Sequence, residues 1–265
     1  MTYSEPNLLR QIERNANSLR GVRLIESDRS STFISWAQVY DKALFIASNL
    51  KSHGVSVNDR VAILSTTQIE IPIILEAIWI LGAIPVMVAI PYRLNSLEDF
   101  QNDTISRIEQ IDANLLIIDP ILSPYFPPEK HHTDQVQITS LFLEISKQAG
   151  QVYAKKEELA LIQFTSGATG IPKGVTLSHN QIVGHIDAIT KAAEFDPEHD
   201  NAVSWLPLYH DMGFIGMLMT QMTKGANLTL IKPQDFTEDP KLWLETLDEF
   251  HGTITAVSAK RRVSI

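Results

Sequence analysis

Cysteine is absent from all 265 residues, which excludes a disulfide framework and any thiolate metal site. Positive charge is scarce: 22 Lys and Arg stand against 31 Asp and Glu, for a formal charge of −9. The densest basic cluster is Lys260-Arg261-Arg262. That balance argues against a nucleic-acid surface, which needs Lys and Arg gathered on one face. The opening "MTYSEPNLLRQIERNANSLRG" has no basic stretch followed by an apolar run, so no secretory leader is expected. An uninterrupted membrane span is lacking too. "IPIILEAIWILGAIPVMVAI" (71–90) is long enough, but Glu76 sits inside it and Pro72, Gly82 and Pro85 punctuate it. It reads instead as a helix to about Leu81, a turn at Gly82-Ala83 and a buried strand from Ile84. These absences predict a cytoplasmic protein. His131-His132 have no spaced third ligand, and His179 and His185 do not frame an HExxH pattern, so no metal site is expected. No G-x-S-x-G elbow occurs, which removes a common hydrolase signature.

What is present is apolar and regular. Hydrophobic residues make up 44% of the chain, enough for a core. "RVAIL", "IPVMVAI", "NLLIID", "LALIQF", "GVTL", "AVSW" and "ANLTLI" read as strands, and "GTITAVS" is strand-like. Trp36, Val39, Ala43, Ala47 and Leu50 recur at helical spacing, with Gly54 placed to end that helix. Further helices are expected from Ser96 to about Ile111 (Leu97, Phe100, Ile108 and Ile111 inward), near Ser140–Lys147, from Ser178 to about Ala193, and over Thr237–Phe250. "ILSPYFPPEKHHTD" reads as a proline-rich surface loop. Buried strands alternating with helices predict an α/β fold of layered, mostly parallel sheets. In such folds, loops after strands carry the chemistry.

One such loop follows "LALIQF". "TSGATGIPKGV" begins at Thr165 and contains Ser166, Gly167, Ala168, Thr169, Gly170, Lys173 and Gly174. Glycines let backbone N–H groups approach an anion, hydroxyls add donors, and Lys173 supplies a mobile positive charge. The set suits a polyphosphate. It is not a Walker loop, because Gly174 rather than Ser or Thr follows the lysine. On composition alone an ordinary surface turn remains open.

The loop resembles the signature of the adenylate-forming (AMP-binding) superfamily of acyl-CoA synthetases, fatty acyl-AMP ligases and peptide-synthetase adenylation domains. "WLPLYHDMGFIGMLM" (205–219) resembles a second motif of that superfamily, in the form found in fatty acyl-AMP ligases. "FISWAQVYDKALFIASNLKSHGVSVNDRVAIL" and "ILGAIPVMVAIPYRLNSLEDF" are similar to the same branch. The resemblance implies a reaction. A fatty or related carboxylic acid attacks the α-phosphorus of ATP, with Mg2+, to give acyl-adenylate and pyrophosphate. An acyl carrier protein or CoA is the implied acceptor. Thr165, Ser166, Thr169 and Lys173, within the loop Thr165–Gly174, would hold the β- and γ-phosphates. Ala168 stands where the superfamily usually has Ser or Thr; a lost donor to a charged group costs about 1.5–3 kcal/mol. His210 matches the position beside the substrate carboxylate, with a structural histidine as the alternative. Asp211 reads as a cap for the helix at Phe214. Met212, Gly213, Phe214 and Met217 are candidates for the acyl site, with plain core packing as the alternative.

The resemblance also sets an expectation about extent. The superfamily's later Tyr-Gly-Thr-Glu motif, its ribose-binding aspartate and its C-terminal lid domain with a catalytic lysine have no counterpart here. No Tyr in the sequence is followed by Gly. Residues 1–265 are therefore expected to form part of the large N-terminal domain and to be inactive alone. The alternatives are one half of a split ligase with a complementing chain, or a non-catalytic binder of nucleotide or acyl chains. An apolar edge is expected near Ile254 and Val257, where later strands would pair.

Overall fold

The computed structural model describes residues 7–90, 96–143, 158–165 and 172–256. The chain enters through α1 (Leu8–Glu13), then pairs β1 (Gly21–Ile25) with β2 (Ser31–Ser35) in antiparallel register. α2 (Trp36–Ser52) follows at once, started by a capping box. The Ser35 hydroxyl accepts from the Gln38 N–H, and the Gln38 side chain accepts from the Ser35 N–H. Gly54, at φ +89°, ends it, as the sequence predicts. Trp36, Val39, Ala43, Ala47 and Leu50 are all buried. The Trp36 indole N–H is satisfied by the Ala226 carbonyl at 2.9 Å.

β3 (Arg60–Leu64), β4 (Ile84–Met87), β5 (Leu115–Ile118) and β6 (Asp134–Gln137) form a parallel sheet in the order β4-β3-β5-β6. α3 (Ile71–Ile80) and α4 (Leu97–Gln110) cross between its strands. The apolar stretch 71–90 is thus α3, a left-handed Gly82 (φ +69°) and β4. No described helix is long and apolar enough to cross a membrane. A second sheet runs β2-β1-β10-β9, with β9 (Asn201–Ser204) and β10 (Asn227–Ile231) parallel to β1. β7 (Leu159–Thr165) and β8 (Lys173–Ser178) form an antiparallel hairpin of their own. β7 is tied down by the Trp79 indole, which donates to the Ala160 carbonyl at 2.7 Å. The remaining helices are α5 (Ile138–Leu143), α6 (His179–Ala192), α7 (Thr220–Lys224), α8 (Pro233–Glu238) and α9 (Lys241–Glu249). α5 starts ahead of the predicted Ser140, and the rest of that predicted helix lies outside the described residues.

Several expectations are corrected. Leu97 is exposed, and Thr104 takes a place on the buried face of α4 beside Phe100 and Ile108. The segment 121–134 is not all surface loop: Phe126 is fully buried, edge-on to Phe100 with ring centroids 5.3 Å apart. The helix predicted over Thr237–Phe250 is split, because Pro240 has no N–H to continue α8 into α9. The described part of "GTITAVS", residues 252–256, contributes a bridge rather than a strand. Ile254 pairs in parallel with Ala202, and its carbonyl accepts from the Val203 N–H at 2.9 Å. Ile254 therefore pairs on one side with the edge of β9, an earlier strand; Val257 lies outside the described residues.

Candidate functional site

The hairpin brings the two ends of the glycine-rich run together. Thr165 and Lys173 are cross-strand partners, and Phe164 faces Gly174 in the same register. The Thr165 hydroxyl is 3.5 Å from the Lys173 carbonyl. Thr165, Lys173 and Gly174 are exposed. Ser166, Gly167, Ala168, Thr169 and Gly170 lie outside the described residues.

A cavity of about 800 Å³ opens beside this hairpin. Met87 and Ala89 line it at the carboxyl end of β4, and Gln163, Phe164 and Thr165 line it from β7. Val175 and Leu177 add apolar wall from β8, and Gln181, Ile182 and His185 come from α6. Tyr209, His210, Asp211 and Ile215 close another side. Apolar side chains predominate, with a few polar groups among them, as in small-molecule sites generally.

Local hydrogen bonds hold His210 there. The His210 N–H donates to the Pro207 carbonyl at 3.1 Å, and the Gln163 amide donates to the Tyr209 carbonyl at 3.4 Å. The turn is thus fastened to β7. Asp211 caps the following helix, as expected from sequence, accepting from the Met212 N–H at 2.7 Å. The same carboxylate oxygen lies 2.6 Å from His210 Nδ1. That contact engages Nδ1 of the ring. The imidazole is well exposed among the described residues.

The helix after Asp211 is a π-helix, Met212–Met219. Its wide turn is stabilised where the Thr220 hydroxyl donates to the Ile215 carbonyl at 2.9 Å. Such turns are rare and often found at functional sites. Gly213 is needed for packing: a Cβ there would collide with the Pro207 carbonyl. Met212 is 41% exposed, whereas Phe214 and Met217 are buried in the main core. Ile215, not singled out by sequence, is the π-helix residue that reaches the cavity wall. Sequence motifs also left Arg107, Gln163, Gln181, His185 and Tyr209 unmarked. Strand alternation gives a signal for one of them, since Gln163 shares a face with Thr165. Arg107 and α6 meet the cavity only through the tertiary fold.

The two groups with the largest shifts lie elsewhere. Burial, with the charge of Glu13 nearby, pushes the Glu76 carboxyl up to about 8. Burial pushes the His179 ring down to about 4, partly opposed by Glu158. Neither lines the cavity. Among the described residues, no group of three His, Cys, Asp or Glu is gathered to hold a metal ion.

Two mostly parallel sheets with flanking helices thus carry one cavity between the β7–β8 hairpin and the His210 turn. The chain belongs to the AMP-binding enzyme family, whose sequence profile matches residues 12–259. It is 35% identical over 222 residues to the candidate ligase Rv1013 of Mycobacterium tuberculosis, covering 84% of this chain and 41% of that protein. It is 28% identical over 225 residues to the long-chain-fatty-acid–AMP ligase FadD26 of Mycobacterium bovis, covering 81% of this chain and 37% of the relative. In structure it superposes on fatty acyl-adenylate ligases studied from E. coli and L. pneumophila with a TM-score of 0.88 at 23% identity. That match covers 97% of this chain and 47% of the other, and establishes the fold. The chain spans about 40% of the length of the curated relatives it matches.

Proposed function

We propose that this chain supplies the phosphate-binding and carboxylate-binding part of a fatty acyl-AMP ligase, which activates a fatty or related carboxylic acid with ATP to an acyl-adenylate. The observation that carries this reading is the convergence of Thr165, His210 and apolar walls on one cavity, with Lys173 paired to Thr165 at its margin. The loop Thr165–Gly174, with Ser166, Gly167, Ala168, Thr169 and Gly170 between, receives the β- and γ-phosphates. Lys173 and the hydroxyls stabilise charge on the departing pyrophosphate. His210 presents Nε2 to the acid's carboxylate or to the adenylate while Asp211 holds Nδ1, and it donates there when both ring nitrogens carry protons. The acid's apolar body lies along the cavity wall. Ile215 reaches that wall from the π-helix, and Met212, Gly213, Phe214 and Met217 serve it if the helix parts from the core to admit a chain. Mg2+ accompanies the nucleotide; the described residues offer no acid cluster of their own for it, and no step is assigned to it.

The greater part of each relative lies outside the match, so residues 1–265 act as part of an N-terminal adenylation domain. The acceptor is an acyl carrier protein or CoA. Adenine, ribose and acid must be fixed together for rapid reaction. The isolated chain is therefore expected to bind ligands without turnover. The test joins it to the remaining segment of a fatty acyl-AMP ligase, or mixes it with a complementing chain, and measures acid-dependent exchange of pyrophosphate into ATP. Exchange with fatty acids supports the assignment. A folded, completed protein that exchanges with no acid of any chain length refutes it.

A further inference from the structure

Arg107 stands in the wall of the cavity with no hydrogen bond and no ion pair among the described residues. Its Nε is buried and unpartnered. Other arginines of the fold find carboxylates. Arg60 meets Asp112 at 2.8 Å, just beyond the same helix, and Arg29 meets Asp239 and Glu245. Asp103, one turn back on α4, is placed to pair with Arg107 but does not. A guanidinium partly removed from water without a counter-ion is costly, so an anion that enters the cavity gains by meeting it.

The packing of α4 says which anion. Ile108 and Ile111 are buried and fix the helix. Ile111 is the neighbour of Gly174, where an added Cβ would lie 3.9 Å from its Cγ2. Arg107 precedes Ile111 by four residues and so shares its side of the helix. That places it beside the tip of the β7–β8 hairpin, in a wall shared with Phe164, Thr165 and Pro172. The latter two flank the glycine-rich run. Lys173 alone supplies one positive charge to a polyphosphate that carries several.

We propose that Arg107 is a second cationic ligand of the polyphosphate, acting with Lys173 and holding pyrophosphate as it leaves. This rests on the phosphate role proposed above for the loop. A planar guanidinium suits two phosphate oxygens at once. Lysine in its place would keep the charge and lose the fork.

The experiment titrates the 265-residue chain with pyrophosphate, with phosphopantetheine and with a fatty acid, using calorimetry, after melts confirm that each variant folds. Arg107→Gln is expected to weaken pyrophosphate binding roughly tenfold or more. It should also flatten the salt dependence and leave fatty-acid binding unchanged, and Arg107→Lys should recover part of the loss. Unchanged pyrophosphate affinity in Arg107→Gln, with loss in Lys173→Ala, overturns the role of Arg107 and keeps that of the loop. No pyrophosphate binding by the wild-type chain overturns both. A loss confined to phosphopantetheine or to the fatty acid assigns Arg107 to another ligand and likewise overturns the proposal.

Discussion

Glu76 and His210 illustrate two ways in which a fold treats a titratable side chain. Glu76 is sealed inside α3, with its Oε1 unpartnered and its carboxyl held neutral to about pH 8. His179 is its basic counterpart, buried with Nδ1 unpartnered and held neutral down to about pH 4. His210 and Asp211 sit on the cavity, exposed, paired at 2.6 Å and fastened by backbone hydrogen bonds. Large shifts often mark active sites because both follow from burial and charge. In this molecule burial operates in the core, and the site is built from accessible groups. The shifted residues therefore govern stability, and the accessible ones are assigned the chemistry.

The largest expected effect tests the second half of that contrast. In a protein completed with the rest of a ligase, Lys173→Ala should lower kcat/KM for ATP about a hundredfold or more, as loss of a transition-state donor does. The side chain is exposed, so the melting temperature should stay nearly unchanged. A variant that melts early but turns over normally would reverse the assignment.

The first half is tested by pH. The Glu76 carboxyl keeps its proton in the folded chain to about pH 8 but loses it near 4.5 when unfolded. Its contribution is full below 4.5 and is lost as pH rises toward 8. Relative to wild type, Glu76→Gln should gain roughly 3 kcal/mol of stability between pH 4.5 and 7.5. The His179 ring stays neutral to about pH 4 when folded but takes a proton below 6.5 when unfolded. Its contribution is present above 6.5 and is lost as pH falls to about 4. The two oppose each other from 4.5 to 6.5, so wild-type stability should be nearly level there and fall from 6.5 to 8. Chemical denaturation across that range reads both slopes. An equal fall in wild type and Glu76→Gln would show that another group is responsible.

What was legible in the sequence was local. Ser96 and Ser178 announce helix starts because a cap and its partner lie within one turn. Gly82 announces the turn between α3 and β4 because few other residues take its φ readily. β1 and β2 were not legible: Ser31, Thr32 and Phe33 are exposed, and β1 is completed by β10, far along the chain. Phe126 looked like part of a loop because its partner Phe100 belongs to another element. For the site, the loop and the His210 turn were readable as motifs. Arg107, Gln181 and His185 were not, since only the packing of α4 and α6 about the hairpin brings them to the cavity. That Arg107 has no partner among the described residues was the least visible, as Asp103 at helical spacing suggests a surface pair.

The smallest effect concerns Asp211, and it distinguishes a cap from a positioning residue. Its carboxylate both caps the π-helix through Met212 and contacts His210 Nδ1. Asparagine keeps a cap oxygen, since Asn and Asp cap almost equally well, but removes the negative charge. If Asp211 served the helix alone, Asp211→Asn would change neither stability nor turnover. If it also orients the ring, a neutral imidazole should carry its proton on Nδ1 in the wild type, and the mixture of ring tautomers should shift in the variant. Turnover of the completed protein should then fall about tenfold with little change in KM for the acid, a loss of about 1.4 kcal/mol in the transition state alone. Nitrogen-15 spectra of the imidazole report the tautomer directly in the 265-residue chain, without need of activity. The same tautomer ratio in wild type and Asp211→Asn would reduce Asp211 to a cap, and the contrast between a sealed core and an oriented site would then rest on the backbone ties of His210 alone.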